Sequence, residues 1–223
     1  MKEKKIAIAE NLFFGIIIVA CFVLTFIFHL SALTLVTCIT SIVYIVFLSE
    51  RNILNFIVGF ASSSTYIVVA YQSMLFGEAL FYLVVDIPLI FISFFMWRKH
   101  METKFKVKTK KLSIKNIVFL ALISVVLTFA YGFVLKSIGD INPFIDALST
   151  VATFIATLLM MTRFREQWAI WIIVYAISIV LWATTFDLLM LIMSAACLIS
   201  SISGLVKWSS SSKRNEQKIT QQI

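Results

Sequence analysis

The sequence predicts an all-α integral membrane protein with eight transmembrane helices, and three observations lead to this fold class. Hydrophobic residues make up 61% of the 223 residues and charged residues only 13%, which leaves too little polar surface for a water-soluble domain. The apolar residues are grouped into stretches of membrane-spanning length. A pattern of polar residues within those stretches occurs twice along the chain.

Eight apolar stretches are long enough to cross a bilayer, which takes about twenty residues. They lie at 11–30, 32–49, 52–72, 75–97, 114–135, 143–161, 167–185 and 186–208. Loops on the cytoplasmic side of a membrane collect Lys and Arg, and eight spans place every basic residue except Lys136 on one side. We therefore expect a multi-pass protein of the cell membrane with both termini in the cytoplasm.

The polar residues recur at a spacing of 116. The recurring pairs are Thr34 and Thr150, Thr37 and Thr153, Ser41 and Thr157, and Glu50 and Glu166. Four spans separate the copies, so both enter the membrane in the same direction, and parallel repeats of this kind are typical of transporters. Trp97 matches Trp208 at a spacing of 111, which predicts a few residues lost at the turn before the last helix.

The repeat divides the chain into one extra helix, three helices, one linking helix and three helices. We assign residues 1–30 to the extra helix and 31–98 to the first repeat. A basic cytoplasmic loop and the linking helix occupy 99–136, and the second repeat occupies 137–208. The tail at 209–223 is serine-rich and polar, and we expect it to be disordered.

Candidate site residues form polar and aromatic stripes at helical spacing. In the seventh span these are Trp168, Trp171, Tyr175, Ser178 and Trp182; in the third, Ser62 and Tyr66; in the sixth, Asp146, Thr150 and Thr153; in the fourth, Asp86. Aromatic rings and hydroxyls suit a flat ligand that is uncharged or carries one positive charge. The same stripes also suit helix packing, and Trp168 suits an aromatic belt at the membrane interface.

Acidic residues within spans are costly and are candidates for function. Asp86 lies near the middle of the fourth span, two residues before Pro88, and either contacts a ligand, takes part in proton transfer or bonds to neighbouring hydroxyls. Asp146 is also suited to stabilising the start of its helix. Glu78 lies near a helix start, and we expect it to be solvated.

Several classes of function lack support. Cys21, Cys38 and Cys197 have no paired spacing, so neither a disulfide framework nor a metal site is indicated, and no cofactor is expected. The two histidines, His29 and His100, lie at span ends, which argues against a nucleophile with a buried base and hence against an enzyme. Nothing favours nucleic-acid binding, and no phosphate-binding loop for ATP is present.

These residues resemble the PnuC family of vitamin and nucleoside transporters. The similar positions run from Pro143 to Trp182 and include Pro143, Phe144, Asp146, Met161, Thr162, Arg163, Glu166, Trp168, Trp171, Ile177 and Ser178, with a fainter match from Gly59 to Trp97. The resemblance implies parallel three-helix repeats of the SWEET type, a homotrimer, and facilitated uptake of nicotinamide riboside or a related molecule. A cytoplasmic kinase would trap the substrate by phosphorylation.

The chain departs from the family at several positions, and three of them are candidate site residues. Family members that resemble nicotinamide riboside carriers usually have Asn where this chain has Tyr175 and Ser62, and an apolar residue where it has Asp86. A site built for particular hydrogen bonds rejects ligands that leave them unmade. Deoxynucleosides, thiamine and riboflavin therefore remain alternative substrates, and a membrane-embedded binding subunit of an energised transporter remains the alternative class.

Overall fold

The protein is all-α. The computed structural model describes the backbone of residues 2–220 and the side chains of Glu10 and of residues 12–212. The helices in this part of the chain are α1 (Lys2–Phe28), α2 (Ala32–Ser49), α3 (Asn55–Gln72), α4 (Phe76–Arg98), α5 (Ile114–Ser137), α6 (Pro143–Met161), α7 (Gln167–Thr184) and α8 (Leu188–Thr220). The predicted fold class of an all-helical protein is confirmed.

Six of these helices, α2 and α4 to α8, are long and apolar enough to cross a membrane within the described residues. The apolar part of α1, Leu12–Phe28, is shorter, and α3 carries polar residues along its length, among them the run Ser62, Ser63, Ser64 and Thr65. A chain with this many apolar helices is a multi-pass membrane protein.

The helices pack as two groups of three with two helices outside. In the first group α3 packs against α2 and α4, and in the second α7 packs against α6 and α8. Contacts of α2 with α8, and of α4 with α6, join the groups. Helix α1 packs against α2 and α8, and α5 packs against α6. Of the residues of α5 only Gly132 and Leu135 are buried, so most of its apolar surface faces outward, as lipid contact requires.

The structure corrects the spacing of the repeat from 116 to 112. Each group has a left-handed residue after its first helix, Arg51 (φ 61°) and Arg163 (φ 68°), and another after its second, Met74 (φ 61°) and Phe186 (φ 57°). Both pairs have this corrected spacing, and so do the starts of α3 and α7. The difference of four residues is close to one helical turn of 3.6 residues, so a polar stripe shifted by one turn still matches on the same face.

A π-helical turn inside α4 accounts for the spacing of 111 between Trp97 and Trp208. The starts of α4 and α8 have the spacing of 112, and α4 then contains a π-helical segment at Tyr82–Asp86. A π-bulge inserts a residue into an α-helix, so the first copy gains one position before Trp97. The change therefore lies within the helix, and the predicted loss at the preceding turn is wrong.

The polar tail is helical, which contradicts the expectation of disorder. Helix α8 continues to Thr220, and Ser211 and Ser212 are buried. The Arg51 guanidinium donates a hydrogen bond of 2.7 Å to the Ser211 hydroxyl, so the segment packs against the loop that follows α2. Residues 221–223 of the predicted tail lie outside the described residues.

The basic loop between α4 and α5 is bonded to both groups of helices. Its residue Val107 donates to the Arg51 carbonyl at 3.2 Å, and its residue Lys110 donates to the Arg163 carbonyl at 2.9 Å. Arg51 and Arg163 are the equivalent left-handed residues of the two copies. The loop thus ties the two copies together on one face of the molecule, which we call the basic face.

Candidate substrate cavity

A small cavity lies between the two groups of helices. The first group lines it with Ser41, Tyr44, Ser62, Ser63, Tyr66, Glu78, Tyr82 and Asp86. The second group lines it with Thr153, Trp171, Val174, Tyr175, Ser178 and Met193. All six helices of the two groups contribute, whereas the described residues of α1 and α5 contribute none.

The corrected register explains why these residues come together. The spacing of 112 relates Ser41 to Thr153 and Ser63 to Tyr175, and all four line the cavity. From the start of the π-helical turn onward the spacing of 111 relates Tyr82 to Met193, and both line the cavity. The cavity therefore surrounds the axis that relates the two copies, where parallel repeats hold their substrate.

The cavity is too small for a nucleoside in this conformation. Its volume is about 40 Å³, room for roughly three water molecules at about 10–15 Å³ each. Pockets for drug-sized ligands measure about 300–1,000 Å³. Binding of such a ligand therefore requires lining side chains or whole helices to move apart.

Trp171 and Tyr175 form an aromatic surface on the second-copy side. Their rings stack with centroids 5.7 Å apart and an angle of 23° between planes. The Trp171 indole N–H is buried and has no hydrogen-bond partner among the described residues. A buried donor without a partner is costly, and a ligand acceptor in the cavity would satisfy it.

Asp86 brings a carboxylate to the opposite side of the cavity. It is the last residue of the π-helical turn in α4 and is buried. The Ser63 hydroxyl donates a hydrogen bond of 2.7 Å to Asp86 Oδ2. π-Bulges are frequent at functional sites, and here the turn carries both Tyr82 and Asp86.

Glu78 is buried, which corrects the expectation that it is solvated. Only 4% of its surface is exposed, and it lines the cavity. The Tyr66 hydroxyl donates to Glu78 Oε2, and the Ser149 hydroxyl donates to Glu78 Oε1 at 2.7 Å. The position of Glu78 in the sequence does not indicate its burial, because the burial comes from α6, which packs against the start of α4.

Asp146 and Thr150 lie outside the cavity, next to it. The Gly77 amide donates to Asp146 Oδ2 at 2.9 Å, and the Thr150 hydroxyl donates to Asp146 Oδ1 at 3.1 Å. Asp146 is fully buried in the first turn of α6. The bond to Gly77 joins the start of α6 to the start of α4. Asp146 and Thr150 thus have hydrogen-bond partners within the protein and need no ligand to explain their burial.

Trp168 and Trp182 also lie outside the cavity. The Trp182 ring meets the Tyr66 ring edge to face, with centroids 5.8 Å apart. The Trp168 ring meets the Trp208 ring in the same way at 5.9 Å, nearer the basic face. Both indoles are fully buried, so Trp168 is not a residue of an exposed interfacial belt.

The cavity includes seven residues that were absent from the predicted set. They are Ser41, Tyr44, Ser63, Glu78, Tyr82, Val174 and Met193. With a spacing of 112, the predicted residues Thr153 and Tyr175 would have identified Ser41 and Ser63 as their equivalents in the first copy. Val174 and Met193 carry no polar signal, so only packing identifies them.

Comparison with known proteins agrees with this architecture. The profile of the nicotinamide mononucleotide transporter family matches residues 31–210. Similar proteins include the nicotinamide riboside transporter PnuC of Neisseria mucosa, 36% identical over 83% of this chain and 74% of that protein. The nicotinamide riboside transporter PnuC of Haemophilus influenzae is 33% identical over 82% of each chain.

A solved structure has the same fold. The crystal structure of the vitamin B3 transporter PnuC matches with a TM-score of 0.84 and 32% sequence identity, over 92% of each chain. The likeness covers nearly the whole chain.

Proposed function

Because the chain belongs to the nicotinamide mononucleotide transporter family, also called PnuC, we propose that it carries nicotinamide riboside, or a related nucleoside or vitamin, across the membrane. The relatives named as nicotinamide riboside transporters support this substrate. Transport proceeds by movement of the two three-helix groups around the cavity. No covalent chemistry is part of it.

The unpartnered Trp171 indole beside the stacked Tyr175 ring is the observation that carries the proposal. Nicotinamide riboside has a flat pyridinium ring with a carboxamide, and the ring is attracted to aromatic faces. The carboxamide oxygen is an acceptor for the indole N–H. We assign substrate contacts to Trp171, Tyr175, Ser178, Ser62, Tyr66, Asp86 and Thr153, all of which line the cavity.

Asp86 favours a cationic substrate. Its carboxylate is buried at the cavity with one hydroxyl donor, Ser63, and a positive charge within about 4–6 Å would stabilise it. Nicotinamide riboside and thiamine carry such a charge, whereas deoxynucleosides and riboflavin do not. Thiamine is therefore the second candidate.

We further propose eight spans in the order one, three, one and three, with both termini in the cytoplasm of a cell-membrane protein. The groups of α2–α4 and α6–α8, with α1 and α5 outside them, support this order. The clustering of basic residues on the basic face supports the orientation. A homotrimer is the expected assembly in this family, and the outward apolar face of α5 is one surface it can bury.

Purified chain in liposomes tests the proposed function. We expect uptake of labelled nicotinamide riboside, reduced at least tenfold by Trp171→Ala and unchanged by Phe95→Leu, whose ring is exposed on α4. Tight binding without uptake would indicate a binding subunit of a larger transporter instead. The proposal would be contradicted if the chain neither bound nor took up nicotinamide riboside or thiamine.

Trapping by phosphorylation has a separate test. Facilitated diffusion only equalises concentrations, so net accumulation requires chemical conversion of the substrate. We expect accumulation above the outside concentration only when a nicotinamide riboside kinase and ATP are enclosed in the liposomes. Accumulation without them would show that the carrier is driven in some other way.

A further inference from the structure

Four aromatic rings form a continuous chain between the cavity and the basic face. The Phe56 ring meets the Trp97 ring edge to face with centroids 5.0 Å apart. The Trp97 and Trp208 centroids are 5.8 Å apart, and those of Trp208 and Trp168 are 5.9 Å apart. The chain starts on α3 and α4 of the first copy and ends on α8 and α7 of the second. Phe56 is 3% exposed and the three indoles are fully buried.

The chain is symmetric about the axis that relates the copies. The spacing of 112 relates Phe56 to Trp168, and the spacing of 111 relates Trp97 to Trp208, as for the helices that carry them. Each ring thus has its equivalent in the chain. The symmetry places the central contact, between Trp97 and Trp208, on the axis itself.

Two hydrogen bonds cross between the copies at this level. The Trp97 indole N–H donates to the Met160 carbonyl of α6 at 3.0 Å, and the Trp208 indole N–H donates to the Leu48 carbonyl of α2 at 3.2 Å. Leu48 and Met160 are again equivalent positions of the two copies. Each copy therefore holds the other by the same bond, made near the ends of the helices.

The ring chain lies on the basic-face side of the cavity. On α3, Phe56 precedes the cavity residue Ser62 by about 9 Å of helix, at about 1.5 Å per residue. On α4, Trp97 follows the cavity residue Asp86 by about 16 Å, and the basic loop begins directly after it. Along α3 and α4 the rings therefore lie between the cavity and the basic face.

We propose that Phe56, Trp97, Trp168 and Trp208 form the gate that closes the cavity toward the basic face, and that the two crossed indole bonds hold this gate shut. The proposal rests on the proposed function, since a gate has a role only where the cavity carries a ligand. Opening requires both bonds to break together, because each of them joins one copy to the other at equivalent positions. The indoles are positioning groups and need no contact with the substrate.

Thiol labelling from one side of the membrane tests the gate without any substrate. The reporter is Ser178→Cys in the cavity of a chain whose Cys21, Cys38 and Cys197 are replaced by Ala. A polar thiol reagent that does not cross membranes is added to inside-out or right-side-out vesicles. Trp97→Phe and Trp208→Phe keep a ring but remove the indole N–H. Each should raise labelling from the basic face about fivefold, the ratio expected for one lost hydrogen bond.

Sidedness separates a gate from a general loss of packing. We expect the labelling rate from the opposite face to stay unchanged, and the double variant to exceed either single one. The matched control is Phe95→Leu, which removes an exposed ring two residues before Trp97 and should leave both rates unchanged. Should either Trp variant fail to accumulate, Phe56→Leu tests the same ring chain.

Two results would overturn the proposal. One is an unchanged labelling rate from the basic face in both Trp variants, and the other is an equal rise from both faces. Because labelling is measured without ligand, either result would leave the proposed substrate and its liposome test unaffected. Loss of both binding and uptake with sided labelling intact would conversely contradict the substrate assignment and leave the gate supported.

Discussion

The two ends of the cavity are built on different principles. Toward the basic face the structure is symmetric: Phe56 pairs with Trp168, Trp97 with Trp208, and the carbonyl of Leu48 with that of Met160. Toward the opposite face it is acidic and asymmetric, since Glu78 and Asp146 have Met190 and Thr34 at their equivalent positions in the other copy. The same duplicated scaffold thus has one end that follows the repeat and one that does not.

The difference follows from what each end has to do. In the proposed mechanism the two copies move against each other, so they need equal contacts at the place where they separate, and symmetric rings provide them. A ligand such as a nucleoside has no such symmetry, so side chains that recognise it must differ between the copies. The proposed substrate contacts Asp86 and Trp171 differ in this way, for their equivalents are Cys197 and Gly59.

The largest effect is expected at the acidic end, from Glu78→Ala. The substitution leaves the hydroxyls of Tyr66 and Ser149 buried without their acceptor, at about 1–3 kcal/mol each. We expect a loss of about 2–4 kcal/mol in the free energy of unfolding, measured by denaturation in detergent. Lys108→Ala, on the exposed part of the basic loop, is the control. A loss below about 0.5 kcal/mol would mean that these bonds do not hold the acidic end together.

The aromatic end has its own steric test in Gly204→Ala. A Cβ atom at Gly204 would lie 2.6 Å from the ring of Trp168, so the ring or α8 must move. Overpacking of this kind costs about 1–3 kcal/mol, which a lowered unfolding midpoint would report. At Gly15 a Cβ atom meets nothing within 4 Å, so Gly15→Ala should be neutral or stabilise by up to about 1 kcal/mol. Equal results at both glycines would contradict tight packing of Trp168.

Recognition at the asymmetric side is tested by Asp86→Asn. The change removes the charge and keeps the size, so the affinity for cationic nicotinamide riboside should fall about tenfold, or about 1.4 kcal/mol. Affinity for an uncharged nucleoside should not fall. Titration calorimetry of the two ligands with parent and variant measures both. A parallel loss for the two ligands would reduce Asp86 to a structural partner of Ser63.

The smallest effect is expected where the cavity itself is symmetric. Ser41 and Thr153 are equivalent, and the Ser41 hydroxyl lies 2.7 Å from the Ser62 hydroxyl. Ser41→Ala and Thr153→Ala should each change substrate affinity by no more than about fivefold, since one neutral hydrogen bond contributes about 1 kcal/mol. A change above tenfold in one variant alone would show that Ser41 and Thr153 contribute unequally to substrate affinity. The asymmetry of the acidic end would then also apply to the centre of the cavity.

Much of the cavity lining was predictable from residue type and helical spacing. Trp171, Tyr175 and Ser178 lie at intervals of four and three residues, which places them on one face whatever the tertiary packing. Trp168 and Trp182 belong to the same stripe and still miss the cavity. Periodicity determines the face of a helix, and the depth of each residue along the axis depends on how the neighbouring helices are shifted.

Glu78 and the tail show where such inference fails. A carboxylate near a helix start and a serine-rich segment are usually exposed. Here α6 covers the start of α4, and Arg51 bonds to Ser211 in the continuing helix α8. Burial of this kind comes from a partner distant in sequence, which local composition does not indicate.

By itself the sequence determined the membrane location and the all-helical fold, and it predicted two parallel copies, because hydropathy, charge and polar periodicity are properties of the chain alone. Only the tertiary structure decided the register of the copies, since a slip of four residues leaves every stripe on the same helix face. It also decided the π-helical turn in α4 and the crossing of the Trp97 and Trp208 bonds, which depend on how two distant helices meet.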